Sequence, residues 1–242
     1  MSEKIGEKTI VFTNTPYILS YGAVGSKFEK EGPLGENFDY IFENPIAGED
    51  TWEMAESKLQ NTALNIAVKK SNIKTEDIDY IFAGDLLNQC TGSTFGIRKF
   101  NRPFVGVYGA CSTMALSLIM GSIFIDNNLG NNVAAITSSH FCAAEKQYRF
   151  PLEYGNQRPQ NSQWTATASG AVILTNTKQK IKIKQAVIGT VKDKGITDVN
   201  NMGAAMAPDD VKIRPYPTNE GMVFFYTQIQ YLRGFRALFK EF

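Results

Sequence analysis

The sequence predicts an α/β fold, and three observations carry that expectation. Short β-branched and aromatic runs of strand length recur along the chain. A long helical periodicity lies between two of them. The runs at Phe82, Val105 and Val133 are nearly continuously apolar rather than alternating. That pattern suits strands covered on both faces, in a parallel or mixed sheet with helices on each side.

The elements follow in order. Thr9 to Phe12 is the first strand. Next comes a helix that sets Trp52, Ala55, Leu59, Ala63 and Ile66 on one face and leaves Glu53, Glu56, Lys58 and Lys69 for solvent. Thr51 is its expected N-cap, with Glu53 in the favourable first turn. Glu76 to Asp79 is a polar connection into a strand at Tyr80 to Ala83. Phe104 to Val107 is the next strand. Met114 to Ile125 is apolar but too short to span a membrane, and is expected to be a buried helix. Strands follow at Val133 to Thr137 and Ala171 to Leu174. Between them lies a polar loop, Pro151 to Gln163, of a length that is usually functional or flexible. The small residues Thr165 to Gly170 allow a backbone or ligand to approach closely. Ile181 to Lys184 alternates as a half-exposed strand does. From Asp209 the character changes, and Phe224 to Phe242 is aromatic and basic.

With 242 residues, 43% of them hydrophobic, the chain can bury a sizeable core. Its net charge of +1 gives no electrostatic reason to expect nucleic acid or an anionic membrane surface as a partner. Met1 to Lys8 is polar and lacks a signal-peptide core, so an intracellular protein without a transmembrane segment is expected. Cys90, Cys111 and Cys142 are an odd set without a CxxC pair, which argues against a disulfide framework and a zinc site. No metal and no cofactor is expected.

Chemistry is expected where strands end. Cys111 lies in Gly109-Ala110-Cys111-Ser112-Thr113, between a strand and an apolar helix. A helix N-terminus offers free N–H groups and the positive end of the macrodipole, the setting in which thiols react. Small residues before it permit a sharp turn that presents the thiol to a pocket; the same run equally suits tight strand–helix packing. His140, the chain's one histidine, follows Thr137-Ser138-Ser139 at another strand's carboxyl end. It is either a proton partner for the thiol or a histidine bonded to backbone. Asp85 and Asn88, in Gly84-Asp85-Leu86-Leu87-Asn88-Gln89, leave a third strand. They are turn and capping residues, or the polar edge of the same crevice. Arg149 could pair with a carboxylate on a ligand, but is expected rather to bridge its loop to Glu145 or Glu153, and Cys90 and Cys142 are expected to be packing residues.

These motifs, together with Gly32-Pro33-Leu34-Gly35, Trp52-Glu53-Met54-Ala55-Glu56, Arg149-Phe150-Pro151-Leu152-Glu153-Tyr154-Gly155 and Gly195-Ile196-Thr197-Asp198, closely resemble the stage V sporulation protein AD family. That family is the thiolase-like component of the SpoVA apparatus of endospore-forming Firmicutes, and the resemblance runs from about Ile10 to Pro208. It implies two similar α/β halves in layered sheets around central helices, usually as a homodimer. On that basis residues 1–178 form the N-terminal half, 179–208 begin the C-terminal half, and 209–242 are a divergent tail, truncated or frame-shifted. It also implies a peripheral protein of the forespore or spore inner membrane. There it binds dipicolinic acid (pyridine-2,6-dicarboxylate) or its calcium chelate, beside other SpoVA proteins. Asp85, Asn88, Cys111 and His140 are the implied ligand-binding set, with Cys111 at the acyl-accepting position of thiolases. Enzymes of that superfamily draw a base and an oxyanion donor from their C-terminal half, and no histidine or cysteine follows Pro208. A non-catalytic binding role is therefore expected. The alternatives are an acyltransferase or condensing enzyme using Cys111 as nucleophile, and a structural subunit with a vestigial pocket.

Overall fold

The computed structural model describes residues 2–148, 165–190 and 222–226. In chain order the elements are β1 (Glu3–Ile5), β2 (Thr9–Val11), β3 (Tyr17–Ser26), α1 (Lys27–Lys30), β4 (Tyr40–Phe42), α2 (Trp52–Ser71) and β5 (Tyr80–Gly84). There follow α3 (Thr91–Ile97), β6 (Phe104–Gly106), α4 (Thr113–Asp126), β7 (Asn132–Ser139), α5 (Phe141–Tyr148), β8 (Ala168–Thr175), β9 (Ile181–Ile188) and β10 (Met222–Tyr226). The strands form one mixed sheet in the order β1-β2-β9-β3-β8-β7-β5-β6, with β10 beside β9 and β4 beside β3. The architecture is mixed α/β.

Strands β7, β5 and β6 are mutually parallel, so their carboxyl ends emerge at the same end of the sheet. The neighbouring pairs β3–β8 and β7–β8 are antiparallel. Because side chains alternate across a strand, β5 and β7 feed two cores. Ile81, Ala83, Ala134 and Ile136 pack with Leu59, Ala63, Leu64 and Ala67 of α2. Phe82, Val133 and Ala135 pack with Leu118, Ile119 and Ile125 of α4 on the opposite face. This is the double coverage that continuous apolar runs require. Helix α2 lies so close on β3 that a methyl group at Gly22 would stand 2.2 Å from the Ala63 carbonyl oxygen.

Two expectations need correction. β6 stands at the end of the strand order, and Val105 is 39% exposed, so its apolar run is not covered on both faces. Glu56, on the face expected for solvent, is completely buried. The buried stripe of α2 runs through Ala55, Glu56, Leu59, Gln60, Ala63, Leu64 and Ala67, a wider band than its apolar residues mark. Helix α4 forms as expected, but Met114, Ala115, Leu116, Met120, Ile123 and Phe124 are only partly buried. Strand β3 was not apparent in the sequence, because Ser20, Gly22 and Gly25 interrupt any apolar run. The polar loop Pro151 to Gln163, Arg149, Glu153, the Gly195 motif and nearly all of the tail lie outside the described residues, as does the side chain of Glu145.

Candidate binding site

The Cys111 turn is built by Thr113. Its hydroxyl accepts from the Gly109 N–H at 3.2 Å and donates to the Ala110 carbonyl at 2.8 Å. Ala110 takes a left-handed conformation (φ 47°), which reverses the chain between β6 and α4. The Ser112 N–H closes the turn on the Gly109 carbonyl at 2.9 Å. Packing beneath leaves no latitude: a methyl group at Gly84 would stand 2.0 Å from the Val107 carbonyl oxygen and 2.5 Å from Thr113 Cγ2. Cys111 thus sits in a short 3-10 turn directly before a 14-residue helix, with its side chain exposed.

Asp85, at the exit of β5, is fully buried. Its Oδ1 accepts from the Leu87 N–H at 2.8 Å, and its Oδ2 from the Ser93 N–H at 2.7 Å and the Ser93 hydroxyl at 2.5 Å. It therefore satisfies an orphan amide of the first turn of α3 from outside the helix, while Cys90 occupies the N-cap position itself. Asn88 is exposed, and its carbonyl accepts from the Thr91 hydroxyl at 2.7 Å. Gln89 and Cys90 follow in left-handed conformations, φ 60° and 52°, uncommon for consecutive non-glycine residues. The Cys90 thiol donates to the Val107 carbonyl at 3.6 Å, and burial first, then the Asp85 charge, push it up.

His140 is fully buried. Its Nε2 lies 2.9 Å from the Pro45 carbonyl, so it donates there, and Nδ1 accepts from the Ala143 N–H at 3.4 Å. Those two bonds fit the neutral ring, and burial lowers its proton affinity. The ring lies against Trp52 of α2, centroids 5.3 Å apart. Beyond it, Pro45, Phe141, Cys142 and Thr167 line a cavity of about 370 Å³.

The parallel strands bring the three predicted exits to one end of the sheet. Within that end, the structure joins a different set around Asp85. Gln60 Nε2 donates toward the Gly84 carbonyl (3.1 Å), Ser93 Oγ (2.9 Å) and Ser138 Oγ (2.8 Å). Ser138 in turn donates to Glu56 at 2.8 Å. Cys111 and Asn88 stand at the surface, whereas Asp85 and His140 are interior. Glu56, Gln60, Ser93 and Ser138 escaped sequence reasoning. The signal available was phase: Glu56 and Gln60 follow Ala55 and Leu59 by one position each, within the width of a core-facing stripe. Among the described residues, no group of three or more His, Cys, Asp or Glu side chains is placed to hold a metal ion. No helix among them is long and apolar enough to cross a membrane.

Solved structures similar to this chain include 3-oxoacyl-[acyl-carrier-protein] synthase III from Aquifex aeolicus, 18% identical, with 68% of this chain and 55% of that one covered at a TM-score of 0.46. Another is OleA from Xanthomonas campestris, 9% identical, with 68% and 58% covered at a TM-score of 0.47. Stage V sporulation protein AD of Bacillus subtilis is 41% identical over 203 residues, which is 84% of this chain and 60% of the relative. The chain therefore spans about three fifths of that relative's length. The family model for stage V sporulation protein AD matches residues 6–215. With most of its length under that match, the chain belongs to the stage V sporulation protein AD (SpoVAD) family.

Proposed function

We propose that the chain is a non-catalytic binding component of the SpoVA uptake apparatus in endospore formation, and that its ligand is dipicolinic acid or its calcium chelate. The observation that carries the non-catalytic reading is the state of His140. The chain's one histidine is interior, with both ring nitrogens engaged by backbone groups, so it is not free to take a proton from Cys111. Asp85 supports the ligand class indirectly. A bare carboxylate repels a dianion, but all three of its hydrogen bonds come from Leu87 and Ser93, and its charge is held inside. The Cys111 turn and the exposed Asn88 loop remain as the accessible surface at the strand ends, beside the N-terminus of α4, where amide dipoles favour an anionic planar ligand.

In this reading Asp85 and His140 support the site and Asn88 and Cys111 meet the ligand. The protein works beside other SpoVA proteins, peripherally at the spore inner membrane, as a homodimer and without nucleic acid. Residues 1–178 form the N-terminal half, and 179–208 open the second with β9, which pairs with β2 and β3. Residues 209–242 are the divergent tail.

Titration calorimetry with dipicolinate, with and without calcium, tests the binding. Saturable heat that weakens in Cys111→Ala and Asn88→Ala is expected; no heat from folded protein rejects it. A mass increase on Cys111 after incubation with an acyl-CoA would instead favour the acyltransferase.

A further inference from the structure

The buried face of α2 carries a group that the proposed site does not use. Glu56 is 0% exposed, and its Oε2 meets no donor although Oε1 accepts from Ser138. One turn further along the helix, the Gln60 side-chain nitrogen has two hydrogens facing three acceptors, and Oε1 has no donor. Buried oxygens without a donor are rare and costly in native interiors. Here two occur on side chains that meet at one serine. A single hydrogen can answer both: protonated, Glu56 becomes a donor, and Gln60 Oε1, four residues on along the same face and on a side chain bonded to the same Ser138, is an acceptor that lacks one.

Among the described residues, the elements packed on this face bring no cation to it. Sheet elements β3, β7 and β8 and helix α3 contribute no lysine, arginine or histidine within their spans; Tyr17 and Tyr21 of β3 are their ionisable groups, and Tyr21 lies exposed under Lys70. From α5 come Cys142 among the described side chains and, at its start, His140, held to Pro45 and lying tilted against Trp52. The charges that act on Glu56 are both negative: Asp85 from the exit of β5, and Glu53 on its own helix. Burial first, then Asp85, push Glu56 up to about 8, against the Ser138 hydrogen bond.

We propose that Glu56 is a proton-holding latch: its neutral carboxylic acid pins α2 to the carboxyl ends of β5 and β7, and loss of that proton in weak alkali loosens the contact and the Asp85–Cys90 loop beneath it. The sign follows from linkage. Below about 4.5 both folded and unfolded chains hold the proton, and the latch contributes in full. Between 4.5 and about 8 only the folded chain holds it, so the folding constant falls by up to about tenfold per pH unit and levels off above that window.

The test is urea unfolding of the full chain from about pH 5 to about pH 9, with amide hydrogen exchange read in α2 and α3, for wild type and Glu56→Gln. The expected result is that wild type loses stability across this range relative to Glu56→Gln, and that its α2 and α3 amides exchange faster than the variant's above about pH 8. Parallel profiles for the two proteins overturn the proposal. The infrared carbonyl band of a protonated carboxylic acid in wild type at neutral pH is a second reading, independent of whether the variant folds. Its presence is expected, and its absence overturns the latch.

Discussion

The three cysteines show how far side-chain identity falls short of reactivity. Cys111 is exposed on its turn, whereas Cys90 and Cys142 are half-buried, and the Cys90 thiol is held protonated by burial and by Asp85. Iodoacetamide at neutral pH is therefore expected to modify Cys111 first, with Cys90 at least about tenfold slower. Peptide mass mapping over time checks this, and equal rates at the two positions contradict it. Thr113 belongs to the same scale. Replacing it by valine keeps the shape but removes the hydroxyl that both accepts from Gly109 and donates to Ala110. A loss of about 1–3 kcal/mol is expected by urea unfolding, because the buried Gly109 N–H loses its acceptor, whereas the Ala110 carbonyl keeps the Thr113 backbone N–H. The sequence correctly marked this turn by its small residues; it carried no sign that Thr113 was its fastener.

At the scale of elements, α2 separates local from tertiary stabilisation. Thr51 caps it as expected, its hydroxyl oxygen accepting from the Met54 N–H at 3.2 Å, and the position is exposed. Thr51→Ala is expected to cost about 1 kcal/mol. Leu59→Ala, at 1% exposure between α2 and the sheet, is expected to cost about 2–5 kcal/mol. Denaturant midpoints order the two, and a capping loss as large as the core loss would contradict the account. The cap was legible because it depends on residues three apart in sequence. The depth of Glu56 was not, since it depends on how wide a stripe β3, β7, β8 and α3 cover. Strand β6 makes the same point in reverse: an apolar run became an exposed edge because nothing pairs beyond it among the described residues.

Over the whole molecule, a single side chain can tie chain segments that are distant in sequence. Asp126, buried at the end of α4, accepts from Ser2 Oγ at 2.6 Å and from the Asn14 N–H at 2.6 Å, and its carbonyl accepts from Asn14 Nδ2 at 2.8 Å. A carboxylate opposes the dipole at a helix C-terminus, so these long-range bonds are what its burial depends on. Asp126→Ala is expected to destabilise by about 1–3 kcal/mol and to open the first strands to limited proteolysis, with the remainder of the sheet protected. Uniform digestion would show the segment is not anchored there. Residue order was enough for the α/β class, the two-faced coverage of β5 and β7, the Thr51 cap, the family, and the placing of Asp85, Asn88, Cys111 and His140 at strand exits. Those features rest on local periodicity and on short motifs. Packing across the sheet settled that Cys111 and Asn88 face outward, that Asp85 and His140 are consumed by internal hydrogen bonds, and that Glu56 lies buried at one end of the Gln60–Ser138 network. Burial and hydrogen-bond partnership are properties of what packs across a sheet, and that information is spread over residues far apart in the chain.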